Sequence, residues 1–162
     1  MLINWMVYAS GAAALSSALV AGVFQAFSDF VMKGLIAAEP AGGIQSMQKI
    51  NQTVYRSVFL MLLLGLAPVT LGLAACAYYY LSGISQTLIV SGAAFYVLGV
   101  FLVTLLGNVP MNKHLDGMSH TGLETVRYWR TYGRVWTKLN HLRTFGSVAT
   151  AICFFLAAIA LK

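Results

Sequence analysis

The side chains with the clearest chemical potential lie between Arg127 and Arg143. Read as an α-helix, at about 100° per residue, this segment has two opposite faces. One face gathers aromatic, amide and guanidinium groups: Trp129, Tyr132, Trp136, Asn140 and Arg143. The other gathers solvated cations: Arg127, Arg130, Arg134 and Lys138. Because aromatic rings stack on flat molecules and polar donors stabilise oxygen anions, the first face predicts a site for a small, partly aromatic ligand.

Arg143 is the exceptional cation, because it falls on the apolar face of this segment. A buried polar group is costly unless it has a partner, so we expect Arg143 to point into a helix bundle. The partner that the sequence offers is Asp29, near the end of the first apolar stretch. An ionisable residue inside a membrane span is a candidate functional residue. Asp29 is therefore a candidate catalytic base.

Further amide side chains lie on shared helix faces at the same ends of their spans. Asn51 shares a face with Tyr55, while Asn108 and Asn112 share one with Thr104. We predict that these faces meet in one polar cluster in the inner leaflet, with Asn51, Asn108 and Asn112 as ligand-binding residues. The alternative is a satisfied polar network that fixes how the helices pack.

Metal and nucleotide chemistry find little support in the sequence. His114, His120 and His141 are not paired at i, i+3 or i, i+4, so no metal site is predicted. A metal or haem held by histidines from separate segments stays the alternative. The chain also lacks a P-loop and the GxGxxG, GxSxG and HExxH motifs. Cys76 and Cys153 lie in apolar stretches without metal-ligand spacing.

The distribution of charge predicts the elements that position these side chains. Of the 162 residues, 59% are hydrophobic and 9% are charged, against about 25% charged in soluble domains. Three stretches carry no Asp, Glu, Lys or Arg: 1–28, 57–112 and 144–161. Because a span needs about 20 apolar residues, they hold one, two and one spans. We predict one all-α domain over 1–162, an integral membrane four-helix bundle with spans at about 5–30, 57–80, 86–106 and 144–161.

The basic residues predict the topology of this bundle. The connections 31–56 and 107–143 carry nearly all of them, so both connections are expected to be cytoplasmic and both termini to face out. Long helices should run from Ile44 into span two and from Leu123 into span four. A helix break is expected at Pro40, and a kink or helix end at Pro110. The net charge of +6 then reflects topology and attraction to anionic lipids, and no nucleic-acid partner is expected.

A further signal comes from four segments of the chain: 22–32, 43–51, 108–112 and 129–144. They resemble the anthrone oxygenase-like family of membrane proteins. The resemblance covers essentially the whole chain. Its last segment is fairly specific, with the pattern Trp129-x-x-Tyr-x-x-x-Trp-x-x-x-Asn-His-x-Arg-Thr144. The chain departs from the family pattern at Lys113 and His114, so these two residues are not expected to carry a shared function.

The resemblance implies a four-helix membrane protein from a family whose bacterial members mostly have no assigned function. Some fungal members oxidise anthrones to anthraquinones with O₂ during polyketide biosynthesis, without metal, flavin or haem. For this chain the resemblance therefore implies no cofactor, and we expect a location in a bacterial inner (plasma) membrane. The positions that it marks are Asp29, Asn51, Asn108, Asn112, Trp129, Tyr132, Trp136, Asn140, His141 and Arg143.

The sequence is compatible with two functions. The first is a cofactor-independent oxygenase that oxidises a lipophilic aromatic substrate in an inner-leaflet pocket. There Asp29 or His141 removes a proton, Arg143 and the amides hold the anionic oxygen, and the aromatic residues stack on the rings. The second is a non-enzymatic binding or scaffold protein for a lipid, a quinone or a partner helix, in which small residues around Ala18 and Gly22 support helix contacts and a homo-oligomer. A transporter has less support, because the spans lack an inverted repeat.

Overall fold

Four helices of the protein are long and apolar enough to cross a membrane. They are seen in a computed structural model that describes residues 2–162. These helices are Ile3–Ala37, Val58–Tyr80, Ile84–Asp116 and Leu123–Ala160. The described range contains no strand, so the predicted all-α architecture with four membrane-length helices is confirmed. The outward orientation of both termini stays a prediction.

Short π-helical segments interrupt the first and third long helices. The α-helices are α1 (Leu2–Ala26), α2 (Met32–Ala37), α3 (Pro40–Val54), α4 (Val58–Tyr80), α5 (Ile84–Tyr96), α6 (Val109–Asp116) and α7 (Leu123–Ala160). The π-helical segments are Phe27–Val31, Val97–Leu102 and Thr104–Asn108. A π-helical turn carries one extra residue, which rotates the following side chains, and such turns occur often at functional sites. The first and third of these π segments border the cavity described below.

The second span begins with its own cap, which corrects the prediction of one long helix from Ile44 into that span. Helix α3 ends at Val54, and α4 begins at Val58 after a turn. Ser57 lies in this turn with an extended backbone, and its Oγ accepts a hydrogen bond from the backbone N–H of Leu60 at 3.2 Å. Serine at such a position stabilises a helix N-terminus by about 1 kcal/mol. The fourth helix agrees with its prediction, because α7 is unbroken from Leu123 to Ala160.

The other two long helices extend beyond their expected ends. The first continues through its π segment and α2 to Ala37, seven residues past the predicted limit of about residue 30. The expected break then occurs, and Pro40 occupies the first turn of α3, where a missing N–H costs nothing. Pro110 does not end the third helix. It lies in the first turn of α6, directly after a π segment whose irregular hydrogen bonding accommodates the missing donor.

Helix α7 is the centre of the bundle and packs along both α1 and α5. Its contact with the third span is close because glycines face each other there. A Cβ atom on Gly146 would lie 3.0 Å from the carbonyl carbon of Gly99, and one on Gly92 would lie 3.0 Å from the ring of Phe154. Small residues allow membrane helices to approach in this way. The apolar core lies in the half of the bundle around Tyr96 and Phe154, and an aromatic cluster lies in the other half.

Candidate functional site

A cavity of about 470 Å³ lies between α1, the α3–α4 turn, α6 and α7. Its volume falls within the range of about 300–1,000 Å³ that is usual for small-molecule sites. The walls are mostly apolar and aromatic: Phe24, Phe27, Ile50, Phe59, Leu60, Leu63 and Trp136. The polar residues on the walls include Asn51, Thr104, Asn108, Asn112, Asn140 and Arg143. Because Lys49, Thr53 and Tyr55 are exposed and also border it, the cavity opens beside the α3–α4 turn.

Asn140 is the best-connected polar residue of this site. Its Nδ2 donates to the backbone carbonyl of Phe24 and to Ser28 Oγ, both at 2.6 Å. Its Oδ1 accepts a hydrogen bond from Arg143 Nη2 at 2.6 Å. All of these atoms are buried, and they join the first and fourth spans. Since both amide hydrogens of Asn140 have partners, this residue orients Arg143 rather than offering a free donor to a ligand.

Arg143 is a buried cation that contacts aromatic rings. Its side chain is 6% exposed, and its Cζ lies 4.3 Å from the ring centroid of Phe24 and 5.2 Å from that of Trp136. Cation–π contacts of a desolvated guanidinium contribute about 2 kcal/mol. Within residues 2–162 the salt bridges include none to Arg143, and its Nε has no hydrogen-bond partner. The cavity wall therefore carries a buried positive charge without an anionic partner among the described residues.

Asn108 adds an unpartnered acceptor to the same cavity. It is 1% exposed and is the last residue of the π-helical segment that begins at Thr104. Its Nδ2 donates to the backbone carbonyl of Trp136 at 3.3 Å, whereas its Oδ1 has no hydrogen-bond partner. A buried acceptor without a partner is costly. Arg143 Nε and Asn108 Oδ1 are thus two unpartnered buried polar atoms on side chains that line the same cavity.

Asn112 connects the cavity to the aromatic cluster of α7. Its Oδ1 accepts hydrogen bonds from the Tyr132 hydroxyl at 2.8 Å and from Trp136 Nε1 at 2.9 Å. The ring of Tyr132 stacks between Trp129 and Trp136, with centroid distances of 5.4 and 6.2 Å. Of the three aromatic residues predicted to stack on a ligand, Trp136 alone lines the cavity. The structure places Trp129 and Tyr132 behind it, where they hold its ring in position.

Asn51 connects the α3 side of the cavity to α6. It is 4% exposed, and its Nδ2 donates to Asp116 Oδ1 at 3.0 Å. One turn earlier, Gln48 Nε2 donates to the backbone carbonyls of Leu115 and Met118 at 2.9 and 2.8 Å. The Gln48 contacts had no signal in the sequence, since they depend on how α3 lies against the end of α6. Both residues fix the helix that borders the cavity opening.

The predicted ion pair between Asp29 and Arg143 is wrong. Asp29 is exposed and its Oδ1 lies 3.6 Å from Lys33 Nζ. The reason is local, because Ser28 occupies the inward position of the π-helical turn and the next residue therefore points outward. His141 is also exposed and lines a second groove together with Asp29, on the other side of Ser28 and Asn140. The two predicted catalytic bases are thus near each other, but outside the cavity that contains Arg143.

Two features of the site were not predicted from the sequence. Phe24 and Ser28, one helical turn apart, contact Arg143 and Asn140, and their i, i+4 spacing was the available signal. The π-helical turns had no signal, because their residues are ordinary helix formers in membranes. Among the described residues no group of three or more His, Cys, Asp or Glu side chains is arranged to hold a metal ion. His114 instead packs edge-on against the ring of Tyr128 at 4.6 Å.

Comparison with known proteins agrees with the resemblance seen in the sequence. The family model described as anthrone oxygenase matches residues 52–153, well over half of the chain. The matched range includes Asn108, Asn112, Trp136, Asn140 and Arg143, and leaves out Phe24 and Ser28. Neither the curated proteins nor the solved structures gave a significant match. The chain, with its four membrane-length helices and this matched range, therefore belongs to the anthrone oxygenase family.

Proposed function

We propose that this protein is a membrane oxygenase that uses O₂ to convert a lipophilic aromatic ketone with a reactive methylene group, such as an anthrone, into a quinone. The observation that carries the proposal is the guanidinium of Arg143, buried in an aromatic cavity without a carboxylate partner among residues 2–162. Such a group stabilises an oxygen anion far better in a buried site than in water. The family match of residues 52–153 supports the same chemistry.

The proposed reaction needs no atom beyond the substrate, O₂ and a proton that is returned. The methylene carbon loses a proton, and the resulting anion carries its charge on the ketone oxygen. O₂ takes one electron from this anion, and the two radicals combine to form a C–O bond. The peroxide takes up a proton, a second C–H bond and the O–O bond break, and water leaves. Overall R₂CH₂ and O₂ give R₂C=O and H₂O.

The side chains divide into those that contact the substrate and those that position them. In our proposal Arg143 holds the anionic oxygen, Asn108 Oδ1 accepts a hydrogen bond from a ring hydroxyl, and Phe24 and Trp136 contact the rings. Asn140 orients Arg143, and Asn112 orients Trp136. Trp129 and Tyr132 support this arrangement from behind the cavity, and Asn51 supports it from the cavity wall. Asp29 and His141 do not contact the substrate, and the proton leaves to water at the cavity opening.

Turnover of a hydroxyanthrone by the purified protein in detergent tests this function. We expect O₂ uptake and anthraquinone formation in a ratio of one to one, above the spontaneous oxidation of the same ketone. Arg143→Gln should lower kcat/KM by about 10²–10³-fold, the usual effect of removing one oxyanion donor. Arg127→Gln is the matched control, because Arg127 is exposed and lines neither cavity. A wild-type rate equal to that of Arg143→Gln would contradict the proposal.

A second candidate function is a non-enzymatic scaffold that binds a lipid, a quinone or a partner helix. The observation in its favour is that Gly11, Ala18 and Gly22 border open space or the outer surface of α1 and not a neighbouring helix. Small residues on an outer face allow close contact with another membrane helix. Ala18→Leu with Gly22→Leu should then shift a homo-oligomer to monomer in detergent. An unchanged oligomer size would remove this candidate.

A further inference from the structure

A second cavity of about 430 Å³ lies between the end of the first long helix and the charged half of α7. We call it the basic groove and define it by the residues Lys33, Ile36, Arg130, Gly133, Arg134 and Lys138. The groove is separated from the Arg143 cavity by Ser28 and Asn140, which hydrogen-bond to each other. The proposed oxygenase reaction makes no use of its cations.

The cations of the basic groove are in excess over nearby acids. Lys33 lies 3.6 Å from Asp29 in an exposed ion pair. Arg130, Arg134 and Lys138 recur every four residues along one face of α7, and none of them forms a salt bridge within the described residues. The chain has four acidic residues in all, so other side chains offer little compensation. The groove therefore presents at least three positive charges to a ligand.

The floor of the basic groove is apolar. It is formed by the backbone of Gly133 and by Met32 and Ile36 from the first long helix. A Cβ atom on residue 133 would lie 2.5 Å from Ile36 Cδ1, so the absence of a side chain there lets Ile36 pack directly against α7. Ile36 is half exposed at 48%. The groove thus combines a cationic rim with an apolar surface, as an amphiphilic ligand requires.

The position of the groove along α7 indicates how deep in the membrane such a ligand would lie. At 1.5 Å per residue α7 is about 57 Å long, which exceeds the hydrocarbon thickness of about 30 Å. Residues 144–161 carry no charge and fill that thickness, whereas the groove lies on the preceding charged part. Lys138 is the groove cation nearest to this thickness and lies on the side of the lipid headgroups, where basic pockets between membrane helices bind anionic headgroups.

We propose that the basic groove binds one anionic phospholipid. The phosphate group contacts Arg130, Arg134 and Lys138, and the planar guanidinium groups suit the phosphate oxygens. One acyl chain runs from the groove along the first and fourth long helices toward the uncharged stretch 144–161. The lipid would fill the space between the first and fourth long helices at the charged end of the molecule.

Competition between lipids on the full-length protein tests this proposal. The protein in neutral detergent is mixed with phosphatidylglycerol and phosphatidylcholine of equal chain length, and retained lipid is counted by native mass spectrometry. We expect the wild-type protein to retain one phosphatidylglycerol in preference to phosphatidylcholine. A groove variant, Arg130→Gln with Arg134→Gln and Lys138→Gln, should lose this preference by about tenfold or more, since each basic residue near an anionic lipid contributes strongly.

A matched variant distinguishes a specific lipid site from non-specific attraction to surface charge. Arg56→Gln with Lys113→Gln and Arg127→Gln removes the same number of charges from exposed positions outside the basic groove. It should keep the wild-type preference and stoichiometry. An equal loss in both triple variants would overturn the proposal in favour of non-specific attraction. Displacement of the retained lipid by millimolar inorganic phosphate would also overturn it, because the site would then recognise a free anion and not a lipid.

Discussion

Arg143 Nη2 donates a hydrogen bond of 2.6 Å to Asn140 Oδ1, one turn earlier on the same helix. The amide nitrogen of Asn140 is held in turn by the first span, through Ser28 and the carbonyl of Phe24. This arrangement fixes which end of the amide faces the guanidinium. The buried charge is thus oriented by a neutral network that joins two spans. Its Nε is buried and has no hydrogen-bond partner.

Asn140→Leu should destabilise the protein by about 2–4 kcal/mol, because it leaves buried donors of Arg143 without a partner and removes two bonds to the first span. The measurement is the thermal unfolding midpoint of the purified protein in detergent. Thr131→Val, at an exposed position of the same helix, is the control and should leave the midpoint nearly unchanged. Similar midpoints for the two variants would mean that the network contributes little to stability.

Asn112→Ala should lower both stability and turnover, since two donors from α7 lose their common acceptor. Removing one of those donors alone, in Tyr132→Phe, should cost only about 1 kcal/mol. A double-mutant cycle between Asn112 and Tyr132 should then show a coupling of about 1 kcal/mol. Additive effects of the two substitutions would contradict a direct hydrogen bond between these residues.

Asp29→Asn and His141→Ala should each change kcat/KM for an anthrone by less than about twofold, because neither side chain lines the cavity around Arg143. The assay is the O₂ uptake measurement described above, with Arg143→Gln as the variant that must lose activity. A loss of tenfold or more in either variant would restore that residue as a candidate base, as the sequence alone suggested.

Gly146→Val should strongly destabilise the bundle. A Cβ atom at this position would lie 3.0 Å from backbone of Gly99 and 3.1 Å from Val100 Cγ2, so α7 and the third span would have to separate. Overpacking of this kind costs about 1–3 kcal/mol or more. Gly72→Val is the control, since a Cβ atom there meets no atom within 4 Å. Equal melting temperatures for the two variants would contradict the close glycine contact.

Much of the fold followed from the distribution of charge along the chain. Long charge-free stretches require membrane-length helices, and this constraint does not depend on detailed packing. The predicted continuous helix into span two failed because Ser57 satisfies a free N–H of α4 with its own side chain. A cap of this kind contributes about 1 kcal/mol of free energy, which is enough to favour a new helix start over a continuous helix. The hydrophobic periodicity of a sequence does not reveal a free-energy difference of that size.

Only the part of the site that lies on one regular helix could be predicted from the sequence. The helical face of Trp136, Asn140 and Arg143 could be read from spacing because α7 is a regular helix. The position of Asp29 was predicted wrongly, because Ser28 takes the inward position one turn after Phe24 and Asp29, about 100° further around the helix, points outward. Side chains beyond the π-helical turn at Phe27–Val31 are a second case. A π turn shifts every following side chain by one residue without a marker in the sequence. Predictions across such a turn are therefore less secure than predictions within one regular helix.

The most direct test of the central claim is the absorption spectrum of a hydroxyanthrone bound to the protein without O₂. The cationic Arg143 should lower the pKa of the bound ketone or phenol, because an opposite charge favours the ionised form. At a pH where the free compound is neutral, the wild-type complex should therefore show the red-shifted band of the anion. The complex with Arg143→Gln should show the neutral spectrum. A neutral spectrum with the wild-type protein as well would contradict the claim that this cavity binds an oxygen anion.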